Sequence, residues 1–174
     1  MTHRGVSAFS MEGRSSFTMT SAGQTFTNPL TIAMFGGTLT MQDAFLSTSS
    51  GTLSNGTLNF NNFSSQFTTF TSSSSNTRTL TLGSAMMTLN SSSATSVFNA
   101  ANGTNLTVTA TTGTIKFTDT GNNAQTFAGG DKTYGNVWFS RGASTGNITI
   151  GQSNTFIDFK DDGSAAHSIL FTAS

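Results

Sequence analysis

The chain has 174 residues, seven basic and seven acidic side chains, no cysteine and one proline. Charged residues make up 8%, against about a quarter in an ordinary soluble domain. With no net charge there is no field to attract a polyanion, which excludes nucleic acid as an expected partner, and without cysteine disulfides and thiolate metal sites are excluded too.

About a third of the residues are Ser or Thr, yet 16 are Phe. Disordered chains are poor in aromatics, so an ordered fold with an uncharged polar surface is expected. No apolar stretch approaches the roughly twenty residues of a membrane-spanning helix. Met1 to Gly13 lacks the apolar run of a signal peptide, because Val6, Ala8, Phe9 and Met11 are broken by Gly5, Ser7 and Ser10. A soluble chain that does not insert into membranes is therefore expected, with residues 1–15 as an N-terminal arm and residues 16–174 as a single domain.

Along the chain, helix signals are nearly absent and alternation is almost continuous. The expected strands begin with Phe17-Thr18-Met19-Thr20, Leu30-Thr31-Ile32, Thr38-Leu39-Thr40-Met41, Thr57-Leu58-Asn59-Phe60 and Gln66-Phe67-Thr68-Thr69-Phe70. Next come Thr79-Leu80-Thr81-Leu82, Met86-Met87-Thr88-Leu89, Asn105-Leu106-Thr107-Val108 and Thr114-Ile115-Lys116-Phe117. The last are Asn136-Val137-Trp138-Phe139, Asn147-Ile148-Thr149-Ile150, Thr155 to Phe159 and His167 to Phe171. Thr suits the outward positions because its β-branch fits the pleat. Gly36-Gly37, Asn55-Gly56, Asn102-Gly103, Gly121-Asn122-Asn123, Gly129-Gly130 and Asp162-Gly163 punctuate these runs as turns. The pattern places Phe17, Leu39, Phe60, Leu80, Leu106, Phe117, Trp138, Ile148 and Phe156 inward.

Strands recurring about every ten residues fit a β-sandwich or jelly roll, a barrel, or a β-solenoid. Internal repetition favours the solenoid. Gly-Thr-Leu recurs at Gly37, Gly51 and Gly56, with Gly113-Thr114-Ile115 as a variant, and Gln-Thr-Phe recurs at Gln24 and Gln125. Short units that cannot bury their own faces are the mark of a stacked array. The expected class is all-β, an irregular β-solenoid of stacked short strands, with a β-sandwich or jelly roll as the alternative.

Leu58-Asn59-Phe60-Asn61-Asn62-Phe63, Phe70 to Leu80, and Lys132-Thr133-Tyr134-Gly135-Asn136-Val137-Trp138-Phe139 followed by Asn154-Thr155-Phe156 resemble repeats of tailed-bacteriophage structural proteins. Such repeats occur in tail-fibre and virion-surface proteins and in bacterial surface repeat proteins. The resemblance covers residues 24 to 171. It implies a β-rich, non-enzymatic role at a virion surface or outside the cell, and it carries no catalytic residues.

Candidate sites are few. Asp158, Asp161 and Asp162 beside Gly163 and Ser164 form the one acidic cluster, but they lack the alternate spacing of a calcium loop and read as a solvated turn. His3 and His167 are far apart, and neither has metal or triad spacing. Gly129-Gly130-Asp131-Lys132-Thr133 misses the first glycine of a phosphate loop and precedes a strand. Asp119 and Asp131 are the pair to consider for glycoside cleavage, which needs two carboxylates flanking one bond. Tyr134 and Trp138, four apart on one strand, share a face and are the candidate stacking platform for a sugar ring. The sequons at Asn55, Asn62, Asn102, Asn105 and Asn147 arise by chance in so Asn- and Thr-rich a chain. No catalytic residue, cofactor or metal is expected.

These features point to a structural virion protein, a phage tail-fibre or surface-decorating module, located at the virion surface or extracellularly. The expected partners are further copies of itself, as a trimer or filament, and other virion proteins. The alternatives are a bacterial adhesin or self-assembling filament subunit, and a carbohydrate-binding fibre tip for a cell-surface glycan. An ice-binding solenoid would need Thr-x-Thr ranks at regular intervals. Thr18-Met19-Thr20, Thr38-Leu39-Thr40, Thr79-Leu80-Thr81 and Thr107-Val108-Thr109 have the form, but they are unevenly spaced in the sequence.

Overall fold

A chain of alternating apolar and Thr residues with one proline can donate ladder hydrogen bonds nearly everywhere, so its strands need neighbours on both edges. The computed structural model, which describes residues 8–93 and 96–173, shows how they find them. The strands pair in parallel and coil into a β-solenoid of about seven turns. Parallel neighbours ordinarily need a crossover of a dozen or more residues, often a helix. Here the crossover is the rest of the coil.

One sheet has eleven strands and the other seven. The larger is bent into two faces. Face I stacks Phe9–Gly13, the first halves of Leu30–Met41 and Gly51–Asn59, then Phe70–Thr71, Ser96–Asn99, Gln125–Ala128, Ile148–Gly151 and Ile169–Thr172. Face II stacks Phe17–Met19, the second halves of Leu30–Met41 and Gly51–Asn59, then Arg78–Thr81 and Leu106–Thr109. Face III is the smaller sheet: Thr25–Phe26, Phe45–Ser47, Ser65–Phe67, Met86–Leu89, Thr114–Phe117, Thr133–Phe139 and Thr155–Asp161. Gly56 marks the bend between faces I and II. Its φ is +80°, and a Cβ there would overlap the Met34 carbonyl, so only glycine fits.

Face II ends with Leu106–Thr109. The next coil leaves face I at Ala128, turns through residues 129–132 and enters face III directly; Gly135 N–H donates to the Ala110 carbonyl at 2.8 Å. The solenoid thus narrows from three faces to two.

The core is an aromatic column. Phe26 and Phe45 stack at 4.8 Å between ring centroids, Phe70 and Phe98 at 5.9 Å, Phe98 and Phe127 at 4.8 Å, and Phe117 and Phe139 at 4.3 Å. Each coil thereby buries its apolar face against its neighbours. Leu39, Phe60, Leu80, Leu106, Phe117 and Ile148 are buried as expected, and Phe156 is half-buried against the same core. Leu80→Ala or Leu106→Ala should each cost about 2–5 kcal/mol of stability, read by denaturant unfolding. A cost below about 0.5 kcal/mol would mean that these side chains face solvent.

Four expectations are corrected. Phe17 lies in register with Leu39 but is 44% exposed, because its strand is the first of face II and no described coil covers it. Residues 9–13 are not part of an arm: they form the first strand of face I, paired with residues 30–34, so the solenoid includes part of the segment assigned to residues 1–15. The run Gln66 to Phe70 is not one strand. Ser65–Phe67 belongs to face III and Phe70–Thr71 to face I, with Thr68 and Thr69 turning the corner. Trp138 points outward, because buried Val137 and Phe139 on either side of it take the inward positions of its strand.

Candidate functional site

Tyr134 and Trp138 do not form a platform. Tyr134 and Gly135 are both buried, so the alternation slips at Gly135 and places the two rings on opposite sides of the sheet. The Tyr134 ring packs edge-on to Phe98 and Phe127, and its hydroxyl donates to the Gly129 carbonyl at 2.7 Å. Burial pushes its phenol pKa up. Trp138 sits on the outer surface of face III between Lys116 and Lys160, whose ammonium nitrogens lie 3.5 and 4.3 Å from the ring centroid. Its Nε1 donates to Asp162 at 3.0 Å. Both cations already attract the indole π-system, and neither ring face is free for a sugar.

The acidic residues are dispersed in the same way. Asp161 contacts His167 Nε2 at 2.8 Å and accepts from Gly163 N–H, while Asp162 accepts from Trp138 and Ser140. Asp158 is in register with Asn136. Among the described residues no three His, Cys, Asp or Glu side chains converge; His3 lies outside them. Asp119 pairs with Arg141 at 3.8 Å and accepts from Gln125. Asp131 accepts from Ser153 N–H at 2.7 Å. Two carboxylates committed to different partners do not flank one bond. In the Gly129 to Thr133 turn, Gly130 and Lys132 N–H donate to the side chains of Gln152 and Asn154, so those amides do not cradle a phosphate.

Three side chains missed in the sequence hold the corners. Arg78 is 0% exposed, and among the described residues no carboxylate forms an ion pair with it. Its Nε donates to the Asn76 carbonyl, Nη1 to Ser72, and Nη2 to Asn102 and Thr104 at 3.0 and 2.6 Å. Arg141 does the same two coils later, donating to the carbonyls of Asp119, Gly121, Asn123 and Gly146, with the Asp119 carboxylate as counter-ion. Desolvation lowers both guanidinium pKa values, and Asp119 partly offsets this for Arg141. The signal was parity: Arg78 shares the inward set of Leu80 and Leu82, and Arg141 that of Phe139.

The third is Asp43, which accepts from the N–H groups of Ser21 and Ala22 at 2.7 Å each, holding Ala22 at φ +52°. The Ser21 amide bond is the largest cause of its lowered pKa. A depressed folded-state pKa means that its stabilisation is present above the ordinary carboxylate range and lost as pH falls through the lowered value. Asp43→Asn should flatten that part of the stability–pH curve, measured by thermal melts across the acid range.

An ordered array of outward threonines lies on face II. Its outward side chains form two ladders, one of Thr38, Thr57, Thr79 and Thr107, the other of Thr18, Thr40, Asn59, Thr81 and Thr109. None is charged. The first described coil contributes Thr18 but not Thr20; the residue one step before Phe17, Ser16, instead accepts from Thr38 N–H through its hydroxyl at 3.1 Å.

Fold and surface together define a parallel β-solenoid stabilised by stacked rings and buried arginine clasps. No protein-family model, curated protein or solved structure matches the chain.

Proposed function

We propose that the chain is a non-catalytic structural module of a virion exterior, a tail-fibre or surface-decorating element, working through association with copies of itself and with other virion proteins. One observation carries this reading. The coil at the C-terminal end of the solenoid leaves apolar side chains uncovered: Ile157 is 63% exposed, Ile169 37%, Leu170 56% and Phe171 64%. Its strands offer open backbone edges in the direction in which every other coil continues, a template for further parallel pairing. Either more β-structure of the same polypeptide or a neighbouring subunit would complete the stack. Low charge offers little repulsion against such association. A core built from every coil suits a module that must endure outside a cell without cofactor or disulfide. A bacterial adhesin or filament subunit would use the same edge. The glycan-binding alternative is less favoured, because Lys116 and Lys160 occupy both faces of Trp138.

Analytical ultracentrifugation with negative-stain imaging tests the reading. The 174-residue chain is expected to self-associate with rising concentration, and Leu170→Glu with Phe171→Glu to reduce that association. A concentration-independent monomer at high micromolar concentration would overturn it.

A further inference from the structure

We propose that face II binds ice, its two Thr ladders holding a layer of water in an ice-like arrangement. The inference rests on in-register stacking that the sequence spacing conceals. Thr38, Thr57, Thr79 and Thr107 follow one another at uneven sequence intervals, yet they are direct neighbours on consecutive strands. Thr40, Asn59, Thr81 and Thr109 form the second ladder beside them, with Thr18 at its start.

Parallel strands set the lattice. Neighbours in a ladder are about 4.7–4.9 Å apart, and the two ladders, two residues apart along each strand, are separated by roughly 6.6 Å. Hexagonal ice presents oxygen rows with repeats on this same scale, whereas liquid water has no such long-range order. The five strands of the face extend the grid over about 19 Å.

The chemistry fits the same ligand. Each Thr offers a hydroxyl that both donates and accepts, and a methyl that cannot compete for water. The β-branch leaves χ1 few choices, so the groups are fixed before ligand arrives and little entropy is lost on contact. Among the described residues the eight Thr hydroxyls of the grid have no protein hydrogen-bond partner, unlike Thr112, which is spent on the Gly83 carbonyl. The grid carries no charge to impose a hydration shell of its own, and no aromatic ring to stack on a sugar. Leu39, Leu58 and Leu80 lie beneath it, fully buried, and hold the strands in place. Asn59 is the one departure, its side-chain oxygen accepting from Asn61 N–H at 2.8 Å.

The inference is independent of the virion reading, and its test uses a different ligand. The purified chain is assayed for partition into slowly growing ice and for inhibition of ice recrystallisation. Thr57→Tyr and Thr79→Tyr place a ring over the middle of the grid, while Thr149→Tyr does the same on the outer surface of face I. The unaltered chain and Thr149→Tyr are expected to enter the ice equally, and each grid variant to need roughly tenfold more protein for the same inhibition. Thr79→Lys serves as a second grid variant if a Tyr variant fails to fold, since Lys116 shows that a solenoid face accepts lysine outward. Circular dichroism and sedimentation accompany each variant. Exclusion of the unaltered chain from ice overturns the proposal. So does equal behaviour of grid and control variants, or a change in oligomeric state on grid substitution, which would assign the face to a subunit contact.

Discussion

Arg78→Ala is expected to destabilise the solenoid by about 3 kcal/mol or more, seen as a lower denaturant midpoint with the cooperative transition retained. Four backbone carbonyls, at Ser72, Asn76, Asn102 and Thr104, take their hydrogen bonds from this one guanidinium. They belong to successive corners, where no strand partner can serve them. Each buried acceptor left unpaired costs about 1–3 kcal/mol, and the expected total stays near the lower end because part of the corner can admit water. The clasp needs the planar fork, so Arg78→Lys should recover less than half of the loss. Arg78→Met separates two causes. If the cost lies in the orphaned carbonyls, it will match Arg78→Ala; if burying the charge outweighed the hydrogen bonds it makes, it would be neutral or stabilising. Arg141→Ala is expected to cost at least as much, because it leaves the buried Asp119 carboxylate without its counter-ion in addition to four carbonyls without a donor.

Phe98→Ala should cost about 3–5 kcal/mol. The ring is 0% exposed and stacks at 5.9 Å on Phe70 and 4.8 Å on Phe127, with Tyr134 edge-on at 5.8 Å. It links the coils on either side, so the void would open in the middle of the column, where neither neighbour can collapse without leaving its own coil. Phe17→Ala is the matched comparison. The same substitution at a 44% exposed ring of the first face II strand should cost less than about 1 kcal/mol. Equal losses at the two sites would mean that the column is not the main source of stability.

The contrast between these phenylalanines shows how far pattern alone reaches. Alternation puts Phe17 on the inward side, and both rings do lie in register with apolar neighbours, Leu39 for Phe17 and Phe70 for Phe98. Whether a coil lies above them is not encoded in the local run. Trp138 and Tyr134 failed for a related reason. A spacing of four gives a shared face only while the pleat is unbroken, and Gly135, whose N–H turns toward Ala110, breaks it. The arginine clasps were legible by parity, since Arg78 stands on the side of Leu80 and Leu82. Their partners were not, because carbonyls at corners are contributed by loops whose approach depends on the coil as a whole.

The sequence by itself determined the all-β class, most strands near their observed places, the sparsely charged surface and the tendency to stack, because these follow from period-two alternation, β-branched outward residues and Gly or Asn turns. The strands Phe9–Gly13, Thr25–Phe26, Phe45–Ser47, Ser96–Asn99 and Gln125–Ala128 were not among those expected. Tertiary structure decided the register. The interval from one rung to the next on face II is short where a corner is tight and longer where residues such as 72–77 and 100–105 loop out. Thr-x-Thr pairs that look scattered in the sequence therefore come to lie side by side. Backbone hydrogen bonds require each strand to meet its neighbour in a fixed phase, while a corner of any length is free to bulge outward. Thus the ladder, and not the count of residues between its rungs, sets where each threonine stands.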